Sequence, residues 1–517
     1  MIQPGLNFCH GVAAKNSIFF PLLIRKLVVV GCDKPVCASA QDKGGYMEGT
    51  VLAQCEQGVL EGVTNEGVHT FFDIPYAANC GRFQAAGEPA RWNGQRNSTR
   101  PGPVFPQWPS RLDFVMGPTA RGVEQSEDAF RLNVFTPDLT GKLPVVFWIH
   151  GGGFMTGGAL PCYSGDSIAR LDRAVVVTMN YRLGVLGNLY MEGISPGNLA
   201  VSDLARALQW VRKNIANFGG DPDSIVVAGQ SAGAWFAQLL ASMPSTHRLV
   251  KAIAMLSYPG LQPMALSKAQ ATAVQLCETV GIASTGKELL TLPVERILQA
   301  QTRLTGAVAK FAEVPIAFMP VASGSVPADP GAHAQERFGG KPVFIGWTRD
   351  ESGSFFASNP ALLGATKEQA LQKFKDEFGD DGVARYESAA EGRFDRKPYA
   401  ALVGLGSEKL IVGPTRRFAK RMAEAASSVF AYRFDFPSPQ PNVGACHCLE
   451  LPFFFGNFEN WIEAPMLEGV DEPRSRALSA RIQTYFLNFV ESGNPNGVGL
   501  PSWKAFNGDD GDLMYFD

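Results

Sequence analysis

Six short runs, apolar on both faces, recur between residues 144 and 434 and constrain the fold more than any other feature. They are Pro144 to Ile149, Ala174 to Met179, Ile225 to Ala228, Ala252 to Leu256, Val343 to Gly346 and Ser428 to Phe434. A strand that is apolar on both sides is buried on both sides, which is the condition of strands inside a mostly parallel sheet covered by helices. The stretches between them read as helices. Leu204, Leu208, Val211 and Ile215 share one helical stripe; Leu478, Ile482, Tyr485, Phe486 and Phe489 share another, opened by Pro473 and stopped by Gly493. This alternation predicts an α/β fold with a mostly parallel central sheet flanked by helices. Residues 261–335 and 359–425 read as mainly helical insertions covering the sheet's active edge. Regular patterning starts near Met47 with no Ser/Gly-rich linker after it, so residues 46–517 are expected to form a single catalytic domain.

Residues 1–45 read differently. Ile18 to Leu23 and Leu27 to Val30 are apolar but are separated by Arg25-Lys26; Ala38-Ser39-Ala40 resembles a cleavage site, and Val29 to Cys32 resembles a bacterial lipid-attachment box. Two readings stay open: an export signal, giving a periplasmic or secreted protein, or a disordered leader or misplaced start on a cytoplasmic one. No run of 18 apolar residues occurs, so no stable membrane span is expected. The net charge is −3 with no basic stripe, which argues against nucleic acid as a partner. Nine cysteines, an odd number at irregular spacing, show no disulfide framework.

Two glycine motifs carry the chemistry. Gly229-Gln230-Ser231-Ala232-Gly233 matches G-x-S-x-G between an apolar strand and a helical stretch, the context of a nucleophile elbow. By itself it is weak, with about 0.3 chance occurrences in a chain of this length and glycine content. His150-Gly151-Gly152-Gly153-Phe154 is far rarer by chance, about 0.01, and also follows an apolar strand. Three glycines allow the backbone to point N–H groups at a ligand. In an acyl-transfer enzyme the amides of Gly152, Gly153 and Ala232 would hold the developing oxyanion. A phosphate loop is the alternative, but no G-K-[ST] follows.

A serine hydroxyl needs a base. Of six histidines, His247, His333 and His447 follow Ser231, and the order serine, acid, histidine favours the late His447, just before the apolar run Leu451 to Phe455. The acid should follow a strand between them; Asp350 and Glu351, after Val343 to Gly346, both qualify. Cys446 and Cys448 flank His447, but alternate residues of an extended loop face away from the one between them, so no metal is expected.

In their order, these motifs resemble type-B carboxylesterases, the group that includes cholinesterases and bacterial para-nitrobenzyl-esterase-like enzymes. The resemblance runs from Met47 to the C-terminus and includes Phe72-Asp73-Ile74-Pro75-Tyr76-Ala77, Glu127 to Val134, Asn180-Tyr181-Arg182-Leu183-Gly184, Phe218 to Pro222 and Ala445 to Phe453. It implies an α/β-hydrolase fold, a carboxylesterase activity without cofactor or metal, and Glu351 as the acid beside Ser231 and His447. It also implies two buried ion pairs, Arg82 with Glu127 and Arg182 with Asp203. Two positions depart from the family. Ala129 and Phe105 stand where a bridged cysteine pair is usual, and Gln230 where many members have glutamate. A small-molecule ester is the implied substrate, with Phe154, Trp235, Phe355 and Phe356 as candidate pocket lining; Trp235 could equally be core beneath the elbow helix. An amidase or carbamate hydrolase on the same residues is the runner-up, and a non-catalytic, adhesion-type relative the alternative of another class.

Overall fold

All six apolar runs become strands of one sheet in the computed structural model, which describes residues 49–391, 394–461 and 463–517. Leu143–Ile149, Val175–Met179, Gly220–Gln230, Ala252–Leu256, Val343–Thr348 and Val429–Phe434 are joined by a short last strand, Met514–Phe516. Their pairings are parallel throughout, in the order Val175–Met179, Leu143–Ile149, Gly220–Gln230, Ala252–Leu256, Val343–Thr348, Val429–Phe434, Met514–Phe516. The two-sided burial has its expected consequence. Val145, Phe147, Ile149, Ile225 and Val227 pack into one core, and the alternate residues Val146, Trp148, Val226 and Ala228 into the core on the opposite face.

The sheet also has an edge that the six runs do not foretell. Gly49–Cys55, Gly58–Asn65, Val68–Pro75 and Arg131–Thr136 form successive antiparallel pairs and join the parallel part through Val175–Met179. The first three are only partly buried, so their apolar residues are diluted by polar ones. The described residues form one compact unit. The readings made for residues 1–45 lie outside the described residues. Among the described residues no helix is long and apolar enough to cross a membrane.

The helical readings hold with shifted ends. The first covers Leu199–Asn214 and passes into a 3₁₀ turn, Ile215–Phe218; the last covers Glu472–Ser492, with Gly493 at φ 78° closing it. The insertions contain helices Leu266–Val280, Val294–Ala307, Pro330–Phe338, Lys367–Phe378, Gly382–Ala390, Lys397–Ser407 and Gly413–Glu424.

Because this part of the sheet is parallel, each of its strands releases its chain at the same edge. The register pairs Gly229 with Ile149, Gln230 with Leu256, and Leu256 with Gly346. The glycine motif, Ser231, Ser257 and the segment Asp350-Glu351 therefore leave side by side at the carboxyl edge, where α/β sheets bind ligands.

Both ion pairs form. Arg182 and Asp203 are buried, with Nη2 to Oδ1 at 2.6 Å and Nε to Oδ2 at 2.8 Å, and Arg182 Nη1 donates to the Gln84 carbonyl at 2.5 Å. Arg82 and Glu127 also pair, but Glu127 is 30% exposed, which corrects the expectation of burial. Arg82 also donates to the carbonyls of Leu289 and Leu292 at 2.8 and 2.7 Å, so it ties an insertion down. Where a cysteine bridge is usual, Ala129 is buried and Phe105 packs edge-on to Phe130, ring centroids 5.1 Å apart.

Candidate active site

The elbow is built by its small residues. A Cβ at Gly229 would sit 2.5 Å from the carbonyl carbon of Gly233, and one at Gly233 would sit 2.0 Å from the Ile149 oxygen. The strand Gly220–Gln230 thus turns directly into the helix Ala232–Ser242. At the corner Ser231 has φ 56° and ψ −120°, a left-handed conformation that costs a non-glycine residue about 1–3 kcal/mol. Its amide is pinned to the Leu256 carbonyl at 2.9 Å.

The glycine motif lies alongside. A Cβ at Gly151 would be 3.2 Å from the Ser231 Cβ. Gly152, Gly153 and Phe154 all have positive φ, at 106°, 61° and 64°. No described residue accepts a hydrogen bond from the amides of Gly152, Gly153 or Ala232. His150 turns away and stacks on Tyr181 at 4.3 Å between centroids; burial pushes its pKa down to about 4, so it is neutral.

Glu351, and not Asp350, meets the histidine. Glu351 Oε2 lies 2.5 Å from His447 Nδ1, and both side chains are buried. The other Glu351 oxygen accepts from Ser257 Oγ at 2.7 Å and from the Thr348 amide at 2.8 Å. Asp350 instead pairs with Arg349 at 3.0 Å and accepts from the Ala445 amide at 3.0 Å, which fixes the loop that carries His447. Burial disfavours the imidazolium, but the Cys448 sulfur and the Glu351 carboxylate favour it more, and His447 is held well above the ordinary imidazole value.

The outer edge of the ring faces Gln230. Gln230 Nε2 lies 3.1 Å from His447 Nε2 and 3.3 Å from Cys448 Sγ. Ser231 Oγ makes no hydrogen bond to any described residue. Elbow and histidine loop are therefore in contact through the residue next to Ser231, with the Gln230 amide on the ring nitrogen that a base would use. The approach of Cys448 corrects the extended-loop reading. Residues 447–450 form a turn and Cys448 has φ 75°, so its sulfur folds back beside the ring. Among the described residues no cluster of three or more His, Cys, Asp or Glu could hold a metal ion.

An amide N–H can donate only to the neutral ring, so Gln230→Glu replaces a donor that favours the neutral form by an anion that favours the charged form. The acidic limb of a kcat/KM–pH profile is expected to move up by about 1 unit. Superimposable limbs for the two enzymes would overturn this.

Two buried groups escaped sequence reasoning. Ser257 follows the strand Ala252–Leu256 with φ 54° and donates to Glu351 and, at 3.2 Å, to Glu450 Oε1. Glu450 is fully buried, and burial together with the nearby Glu351 charge pushes it up to about 8. A serine immediately after a strand of the same sheet was a usable signal for the first; nothing local marks the second. Of the four candidate lining residues, Phe355 faces His447 with ring centroids 5.4 Å apart. Phe154 packs edge-on against Trp235 and Phe236, Trp235 is fully buried with Nε1 on the Leu261 carbonyl at 2.7 Å, and Phe356 stacks on Phe311.

Comparison with known proteins agrees with this architecture. The model of the carboxylesterase family matches residues 49–517. Phenmedipham hydrolase of Pseudarthrobacter oxydans is 33% identical over 469 residues, covering 89% of this chain and 93% of that one. A probable N-octanoylanthranilate hydrolase of Rhodococcus erythropolis is 32% identical, covering 86% and 93%. A solved PNB esterase superimposes with a TM-score of 0.77 at 29% identity, covering 90% of this chain and 95% of that one. The chain belongs to the carboxylesterase family and is a carboxylesterase of the α/β-hydrolase fold.

Proposed function

We propose that the ester is cleaved through an acyl-enzyme on Ser231, with His447 as base and Glu351 as its orienting acid. The observation that carries this reading is the buried contact of 2.5 Å between His447 Nδ1 and Glu351 Oε2. It fixes the tautomer that leaves Nε2 free to take a proton, and it stabilises the imidazolium that results. In the resting arrangement Gln230 occupies that nitrogen; substrate entry exchanges the Gln230 amide for the Ser231 hydroxyl, a tightening that ligand-free sites commonly need. Ser231 Oγ attacks the carbonyl carbon and its proton passes to His447. The amides of Gly152, Gly153 and Ala232 receive the oxyanion, each worth about 2.7–4 kcal/mol in the transition state. His447 returns the proton to the departing alcohol, then activates water to release the acid. Phe355 beside the ring favours small to medium apolar or aromatic esters.

A second reading, cleavage of N-acyl bonds, is favoured by the relative named for N-octanoylanthranilate. The test is a chain-length series of p-nitrophenyl esters set against matched anilides, with an organophosphate to label the protein. Ester turnover with label on Ser231 is expected. Anilides cleaved faster than esters would favour the N-acyl reading, and neither turnover nor label would leave a non-catalytic relative.

A further inference from the structure

We infer that Arg111 forms an anion subsite at the mouth of this active site, so that the preferred esters carry a carboxylate a few bonds from the scissile carbonyl. The inference rests on the proposed use of Gly153 in the oxyanion hole and names the substrate class of that site. A Cβ added at Gly153 would lie 3.5 Å from Arg111 Nη2. One bond length further, the guanidinium is within about 5 Å of the Gly153 Cα. A substrate carbonyl held by the Gly153 amide therefore has its neighbouring atoms within reach of a positive charge.

Among the described residues that charge has no counterpart. Arg111 makes no ion pair or hydrogen bond with any described residue, unlike Arg82, Arg131 and Arg182. The side chain is reachable by solvent, yet protein surrounds it closely enough for burial to lower its pKa, and no acid counteracts that. A guanidinium stays protonated at any working pH and binds a carboxylate with two parallel N–H donors. An apolar ester alone would leave it facing water; an ester with an anionic arm would pair it.

The test compares 4-nitrophenyl hemiadipate with 4-nitrophenyl hexanoate, which differ in a terminal carboxylate on the acyl chain. Acetylsalicylate against phenyl acetate places the carboxylate on the leaving group instead. Arg111→Gln is expected to lower kcat/KM about 10-fold for the anionic member of at least one pair, mainly through KM, and to leave the neutral member within about twofold. Arg111→Lys should recover part of the loss, and 0.5 M NaCl should narrow the wild-type preference. The pair that responds tells which side of the ester faces Arg111. Equal losses for charged and neutral esters, or no loss in either pair, would overturn the subsite. Should neutral esters fail with the wild-type enzyme, the hydrolase mechanism falls on its own. Calorimetric binding of hemiadipate to Ser231→Ala with and without Arg111→Gln then still decides the anion site, with unchanged affinity counting against it.

Discussion

Ser231→Ala is expected to lower kcat by about 10⁶-fold while leaving KM nearly unchanged, because on the proposed mechanism it removes the atom that forms the acyl bond and nothing that binds the ground state. The same corner offers a second readout that an ordinary surface serine would not give. Ser231 sits at φ 56°, held there by the Leu256 carbonyl on one side and the close approach of Gly229 to Gly233 on the other. Glycine carries no penalty in that conformation. Ser231→Gly should therefore be as inactive as Ser231→Ala and yet more stable than the wild type, by about 1 kcal/mol. An inactive alanine variant alone would be compatible with several accounts. Residual turnover within tenfold of wild type, or a glycine variant that melts below the parent, would contradict the strained-nucleophile account.

Asp203→Ala is expected to produce the largest loss of stability, about 3–5 kcal/mol, read as a fall in the unfolding midpoint. The Arg182 and Asp203 side chains are 6% and 0% exposed. Asp203 accepts from Nε, Nη2 and the backbone amide of Arg182. Removing it strands a guanidinium left facing the Gln84 carbonyl and the Phe130 ring. The pair replaced together by apolar residues of similar volume, as in Arg182→Met with Asp203→Leu, should recover most of the loss, since desolvating two charges had offset much of their attraction. A single substitution as mild as the double one would mean that water reaches the site.

How much of this was legible in the sequence depends on how local the controlling physics is. Strands buried on both faces show as unbroken apolar runs, so the parallel half of the sheet could be read directly. The antiparallel edge from Gly49 to Pro75 could not, because half-exposed strands mix polar and apolar residues. The elbow was legible because only glycine fits at 229 and 233. The choice between Asp350 and Glu351 was not, since both follow the same strand and differ only in where one extra residue points them. Residues alone left it open, and the family resemblance selected Glu351, which is the one in contact with His447. Cys448 was misjudged because an extended loop was assumed where the chain turns. Arg111 and Glu450 carry no pattern at all. Their significance lies in which groups surround them, and that is a property of the folded chain.

The buried Glu450 separates the speed of this enzyme from its endurance. Its folded value near 8 lies above the ordinary 4.5, so the native protein keeps a proton that the unfolded chain releases. Stability from this group is complete below pH 4.5 and drains away as pH climbs to about 8. On the proposed mechanism, instantaneous rates should also improve as pH rises, as His447, held above the ordinary imidazole value, loses its proton. A preparation held in alkaline buffer should thus work fastest in its first minutes and die soonest on the shelf, its working lifetime set by a carboxyl group that never meets the substrate.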